Sequence, residues 1–140
     1  MSSGFGPGFQ GARSRLYRAE YVLISLAIFA YLIWRSVTVG AVDWFQTLFW
    51  LVFPDIVSFV PIGASSKRRE WPPWGANLYN ASHSILTWGL GLVLLSVGLG
   101  SFYWPLLGWL IHITGDRAAG YALRASSAPD VTMAAQVSEL

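Results

Sequence analysis

The stretch 106-LLGWLIHITGDRAAGYALR-124 restricts the fold more than any other part of the sequence. It opens as an apolar helix and runs on, without a turn signal, through His112, Asp116 and Arg117. A helix needs about 20 largely apolar residues to cross a bilayer, and this one reaches that length only with its polar residues inside the span. His112 and Asp116 are four apart, so they share a helix face one turn from each other. Gly108, Gly115 and Ala119 flank that face and let a second helix approach closely. A charged group at mid-helix costs about 2.5–3.5 kcal/mol on insertion scales, so several such groups are expected to meet partners and to mark a site.

The composition supports the membrane setting. The 140 residues suffice for one domain, 54% hydrophobic and 11% charged, where soluble domains carry roughly 25% charged residues. Eight Trp, six Tyr and eight Phe suit aromatic belts at two interfaces. The absence of Cys removes disulfides, thiolate metal sites and thiol catalysis. A net charge of +2 is too small to argue for nucleic acid, which leaves membrane lipids and other membrane subunits as partners.

The expected architecture is all-α, a bundle of four transmembrane helices. Its spans are about 16–35, 43–62, 76–99 and 102–121, between an N-terminal tail (1–15) and a C-terminal tail (125–140). No apolar core followed by a small-residue cleavage site occurs early, so no secretory signal is expected. The Gly-rich start is expected to be flexible, with Phe5 and Phe9 available to dock on a partner chain. The first span reaches crossing length only by extending back through Arg18 and Glu20. The second contains Pro54 and Asp55, which predicts a kink beside a buried carboxylate. The loop 63-GASSKRREWPPWG-75 reads as extramembranous. The third span opens with 79-YNASHS-84, where Tyr79 and Asn80 each share a face with His83. Ser84, Gly91 and Gly98 add a small-residue stripe.

Basic residues orient the spans. Arg13, Arg15, Arg18, Lys67, Arg68, Arg69, Arg117 and Arg124 fall on one side of a four-span protein, and Arg35 alone on the other. That asymmetry predicts both termini in the cytoplasm. It also brings Glu20, Asp55, His83, His112 and Asp116 to the cytoplasmic half, with Arg117 expected to pair with Glu20 or, failing that, Asp55.

The order Arg18-x-Glu20, Pro54-Asp55, Tyr79-Asn80-x-x-His83, His112-x-x-x-Asp116-Arg117-x-x-Gly120-Tyr121-x-Leu123 resembles a small bacterial multi-pass membrane family. That family is known as domain of unknown function 4260, and the resemblance covers about residues 16–124. It implies a bundle of about four helices in a bacterial inner (cytoplasmic) membrane and carries no reaction with it. The Asp, His, His and Asp pattern is more loosely similar to membrane-bound metal-dependent hydrolases. Two departures stand out: the SSKRREWPPW loop is longer than the family's usual one, and Ala122 stands where glycine is commoner.

Three readings of the polar cluster Glu20, Asp55, Asn80, His83, His112, Asp116 and Arg117 stay open. It is a hydrogen-bonded network that specifies helix packing; or a divalent zinc, manganese or iron site on Asp55, His83, His112 and Asp116; or His83 and His112 are axial ligands of haem or chlorophyll. The functions that follow differ in kind. Small size and an aromatic lipid surface favour an accessory or structural subunit of a larger, energy-transducing (photosynthetic or respiratory) membrane complex. The alternative is a membrane-embedded metal-dependent hydrolase acting on a lipid-like substrate, with Glu20 as general base. No nucleophile elbow or glycine-rich phosphate loop accompanies it.

Overall fold

The computed structural model describes residues 14–40, 42–64 and 73–123. Phe5, Phe9, most of the basic loop and the C-terminal tail lie outside them. The described chain is helical: α1 (Arg15–Thr38), α2 (Trp44–Ala64), α3 (Pro73–Ser82), α4 (Ile85–Leu99), a 3-10 turn at Trp104–Leu106, and α5 (Leu107–Ala119). The chain is a helical protein with α1 and α2 each long and apolar enough to cross a membrane. The pair α3–α4 adds a third such segment if it counts as one bent span.

Local chemistry sets the boundaries. α1 holds neither Gly nor Pro for 24 residues and ends before Gly40, whose φ of 70° is left-handed. Asp43 starts α2: its carboxylate accepts from the Gln46 backbone N–H at 3.0 Å and from the Gln46 side-chain amide at 2.8 Å. α2 continues through Pro54 and Pro61, both fully buried, and the Ser58 hydroxyl donates to the Pro54 carbonyl at 2.8 Å.

Two of the expected spans are not single long helices. The one at 76–99 breaks between α3 and α4 with a 60° bend. Ser84 is the cause: with an extended backbone it caps α4, its hydroxyl accepting from the Leu86 N–H at 3.2 Å. The segment at 102–121 begins as the 3-10 turn and ends at Ala119, where Gly120 adopts a φ of 102°. Its 13 α-helical residues fall short of the roughly 20 that a crossing takes.

α5 is the hub. Arg18 donates to the Ala118 carbonyl at 2.8 Å, Ser25 to the Thr114 hydroxyl at 2.7 Å, and Tyr31 meets Trp104 with ring centroids 5.6 Å apart. α1 therefore runs antiparallel to α5. α2 runs parallel to α5, with Thr47 and Leu51 beside Gly108 and Asp55 beside His112. The core consists of Leu106, Trp109 and Ile113, with Trp50 stacked on Trp109 at 5.7 Å and 7°. At the far end the Arg35 guanidinium lies 3.9 Å from the Trp104 ring centroid. The outer surface is apolar, as a lipid-facing surface must be; α4 has no buried residue at all.

Gly108 sits where the two backbones touch. A Cβ there would run into the Thr47 carbonyl and stand 3.1 Å from the Leu51 nitrogen, whereas one at Gly98 meets nothing within 4 Å. Gly108→Ala is expected to destabilise the bundle by about 1–3 kcal/mol through overpacking. Gly98→Ala should leave stability unchanged or slightly raised. Unfolding in detergent, followed by Trp fluorescence, compares the two.

Candidate metal centre

The break between α3 and α4 places His83. Broken backbone packed inside a protein needs partners for its freed polar groups, and here it has them. The Tyr79 carbonyl accepts from the His83 N–H at 2.9 Å and from the Ser82 hydroxyl at 3.0 Å. The Trp109 indole donates to the Ser82 carbonyl at 2.6 Å. The Tyr79 ring stacks on the imidazole, centroids 3.9 Å apart and 15° from parallel.

His83 is buried, and its ring is oriented from behind. Its Nδ1 lies 2.9 Å from the Tyr79 carbonyl and 3.0 Å from the Ser82 hydroxyl. A carbonyl can only accept, so Nδ1 carries the proton and Nε2 presents a lone pair. That lone pair faces the Nε2 of His112 at 3.3 Å and the Asp116 carboxylate at 3.4 Å. His112, one turn before Asp116 on α5, closes the triangle at 3.5 Å from the same carboxylate oxygen and reaches an Asp55 oxygen on α2 at 3.6 Å. The Tyr79 carbonyl and the Ser82 hydroxyl thus hold the His83 ring from behind. Outer contacts of this kind orient metal-ligating imidazoles.

The spacing decides what the cluster is suited to. N–H···O hydrogen bonds lie at about 2.7–3.2 Å, and these imidazole–carboxylate separations are all longer. A tetrahedral ion with bonds of about 2.0–2.1 Å sets its ligand atoms about 3.3–3.4 Å apart. Of the six separations in a four-ligand set, the three among His83, His112 and Asp116 (3.3, 3.4 and 3.5 Å) and that from His112 to Asp55 (3.6 Å) lie within a few tenths of an ångström of that figure. One donor atom each from Asp55, His83 and His112 falls within 4.8 Å of the others. The same spacing does not suit haem or chlorophyll. Axial nitrogens on opposite sides of one metal, each about 2 Å away, stand about 4 Å apart with a macrocycle between them.

The remaining expected members take other positions. Glu20 is exposed on α1 and, among the described residues, forms no ion pair with Arg117. Arg117 instead donates to the Tyr17 hydroxyl at 3.1 Å and lies 5.5 Å from the Tyr21 ring centroid. The inward stripe of α1 is Tyr17, Tyr21, Ser25, Ile28 and Leu32, and Glu20 falls outside it. Asp55 is not the buried carboxylate expected beside Pro54: its side chain is 60% accessible, against 28% for Asp116. Pro54 and Ser58 occupy the inward positions of α2, and Asp55 flanks them. Asn80 is half-buried one turn before His83 and is itself engaged.

No protein-family model, curated protein or solved structure matches the chain. The functional reading therefore rests on the site. Trp109, Ser82 and Tyr17 contribute to it and were not among the expected residues. Ser84 ahead of the run Ile85–Leu99 carries a visible N-cap signal that marks the break. Tyr17 lies 100 residues from Arg117, and nothing local points to it.

Trp109→Phe keeps an aromatic ring in the core and removes the donor to Ser82. It should cost about 1–3 kcal/mol, the penalty of a buried acceptor left without a partner. A smaller loss, measured by chemical unfolding in detergent, would show that the carbonyl finds another donor.

Proposed function

We propose that the chain is a small four-crossing membrane protein, both termini cytoplasmic, that holds one divalent zinc, manganese or iron ion on Asp55, His83, His112 and Asp116. We further propose that it acts as a membrane-embedded metal-dependent hydrolase on a lipid-like substrate, in a bacterial inner membrane. The observation that carries this reading is the 3.3–3.5 Å triangle of His83, His112 and Asp116, with Asp55 of α2 3.6 Å from His112. The alternating helix directions support the four crossings, with α5 and its 3-10 turn as the shortest. Arg15, Arg18 and Arg117 at the end opposite Arg35 support the orientation.

A divalent ion held by Asp55, His83, His112 and Asp116 would supply Lewis acidity for a hydrolytic reaction. The chain's own residues supply the rest. His83 and His112 offer neutral lone pairs. The Tyr79 carbonyl holds the His83 tautomer. Asp55, the most accessible of the four, leaves one side of the site open. Glu20 does not serve as general base in this arrangement, because it lies outside the inward stripe of α1.

A second reading, an accessory subunit of a larger membrane complex, draws on α4. That helix has no buried residue; its face away from Trp88 and Leu92, carrying the exposed Leu86, Leu90, Val93, Leu94 and Val97, is available to lipid or to a neighbouring subunit, and the two roles are compatible.

Protein purified in mild detergent is expected to carry one equivalent of metal by elemental analysis. His83→Ala and His112→Ala should each lower that content severalfold without loss of helicity. Metal at background level in the wild-type protein, after loading with zinc or manganese, would end this reading. For topology, a reporter active only in the cytoplasm and fused after Leu140 should be active; a signal only from the opposite side would refute the orientation.

A further inference from the structure

The bundle end away from the metal centre carries one charge that no described residue offsets. Arg35, in the last turn of α1, lays its guanidinium 3.9 Å from the Trp104 ring centroid. Among the described residues it forms no ion pair. Its Nε is buried without a hydrogen-bond partner, and its Nη groups, which reach the surface, have none among the described residues either. Asp43, the only described carboxylate at this end, is engaged elsewhere, accepting from the Gln46 backbone and side-chain amides at 3.0 and 2.8 Å. A guanidinium is always charged, so this positive charge belongs to the chain and needs no bound ion. The Trp104 ring attracts it from one face and leaves its edge of N–H donors unmet.

The surroundings indicate what meets those donors. Trp104 is one of four linked rings: Trp34 and Tyr31 are 5.7 Å apart, Tyr31 and Trp104 5.6 Å, and Trp104 and Phe102 4.2 Å. Tyr31, Trp34 and Phe102 are exposed. Trp and Tyr collect at headgroup depth in membrane proteins. Helix length puts Arg35 at that depth too. At about 1.5 Å per residue, unbroken α1 carries it about 30 Å from Arg15, the thickness of a bilayer's hydrocarbon core.

We propose that Arg35 and this shelf of rings form a docking site for an anionic phospholipid at the bundle end opposite the metal centre. The planar fork of Arg matches two phosphate oxygens, and a phosphodiester keeps two unesterified. An anionic headgroup is favoured over a zwitterionic one, because the latter brings an ammonium that competes for the same phosphate. The exposed rings favour a lipid over a free anion: they offer an apolar surface to the glycerol backbone and acyl chains and nothing to a solvated ion. The site rests on α1 crossing the bilayer and is independent of the metal reading.

The test is native mass spectrometry of the full-length protein in mild detergent with equimolar dioleoyl phosphatidylglycerol and dioleoyl phosphatidylcholine. The first bound lipid is expected to be phosphatidylglycerol, in severalfold excess. Arg35→Gln should weaken its binding by about tenfold, as loss of a charged hydrogen bond does. Arg35→Lys keeps the charge, loses the fork and should fall between. Arg15→Gln, at the other end of α1, should change binding less than twofold. Equal occupancy by the two lipids, or equal losses for Arg15→Gln and Arg35→Gln, would overturn the site. Displacement by glycerophosphoglycerol at the lipid's own concentration would overturn the lipid assignment. A protein subunit that stays with the wild type and leaves with Arg35→Gln, without any lipid preference, would put an acidic partner in the lipid's place and overturn it as well. Release of the chain from membranes by alkaline carbonate would end the crossing on which the site rests; retention in the membrane with no lipid preference would overturn the site alone.

Discussion

The hydrogen bond from the Trp109 indole to the Ser82 carbonyl supports more of this molecule than any other single contact. A helix that stops within a bilayer exposes carbonyls that lipid cannot satisfy, each at a cost of several kcal/mol. Trp109 meets one of them from the hub helix, and the His83 N–H and Ser82 hydroxyl meet another within the turn. The break is thereby tolerated, and it turns the chain so that His83 faces α5. The same indole stacks on Trp50 of α2. One side chain therefore joins the break, the core and the helix that brings Asp55.

The site is assembled from ordinary helical geometry around that point. His112 and Asp116 need only one turn of α5. Asp55 arrives because α2 runs parallel to α5 and closes on it at Gly108, where no side chain intervenes. The one unusual element is the interruption at His83–Ser84, and it supplies the residue most tightly oriented by its surroundings. Irregular backbone placed beside a cluster of ionisable side chains is the combination expected where a membrane protein does chemistry.

Much of this was legible in the sequence, and the failures have identifiable causes. The helical class follows from the apolar runs, and the shared face of His112 and Asp116 from their spacing. Asp55 and His83 could be placed at similar depth by counting basic residues. The pairing of Arg117 with Glu20 was not realised because charge complementarity was weighed without the helix stripe. Tyr17, Tyr21 and Ser25 mark the inward face of α1, and Glu20 lies off it. Asp55 was expected to be buried because it follows a proline, yet Pro54 itself takes the inward position. The unbroken third span was expected from hydropathy, which does not register that Ser84 can start a helix as readily as sit within one.

The accessibility of Asp55 has a consequence for exchange. His83, His112 and Asp116 form a closed triangle between the α3–α4 break and α5, and α2 contributes the exposed Asp55 carboxylate. An ion would reach the site past Asp55 or through the opening beside His83 and Asp116, with the aromatic core undisturbed. Such a centre would equilibrate with the metal available at the membrane surface instead of trapping an ion during folding. Its occupancy would then track the cell's supply, and the protein could stand folded and empty when that supply is low.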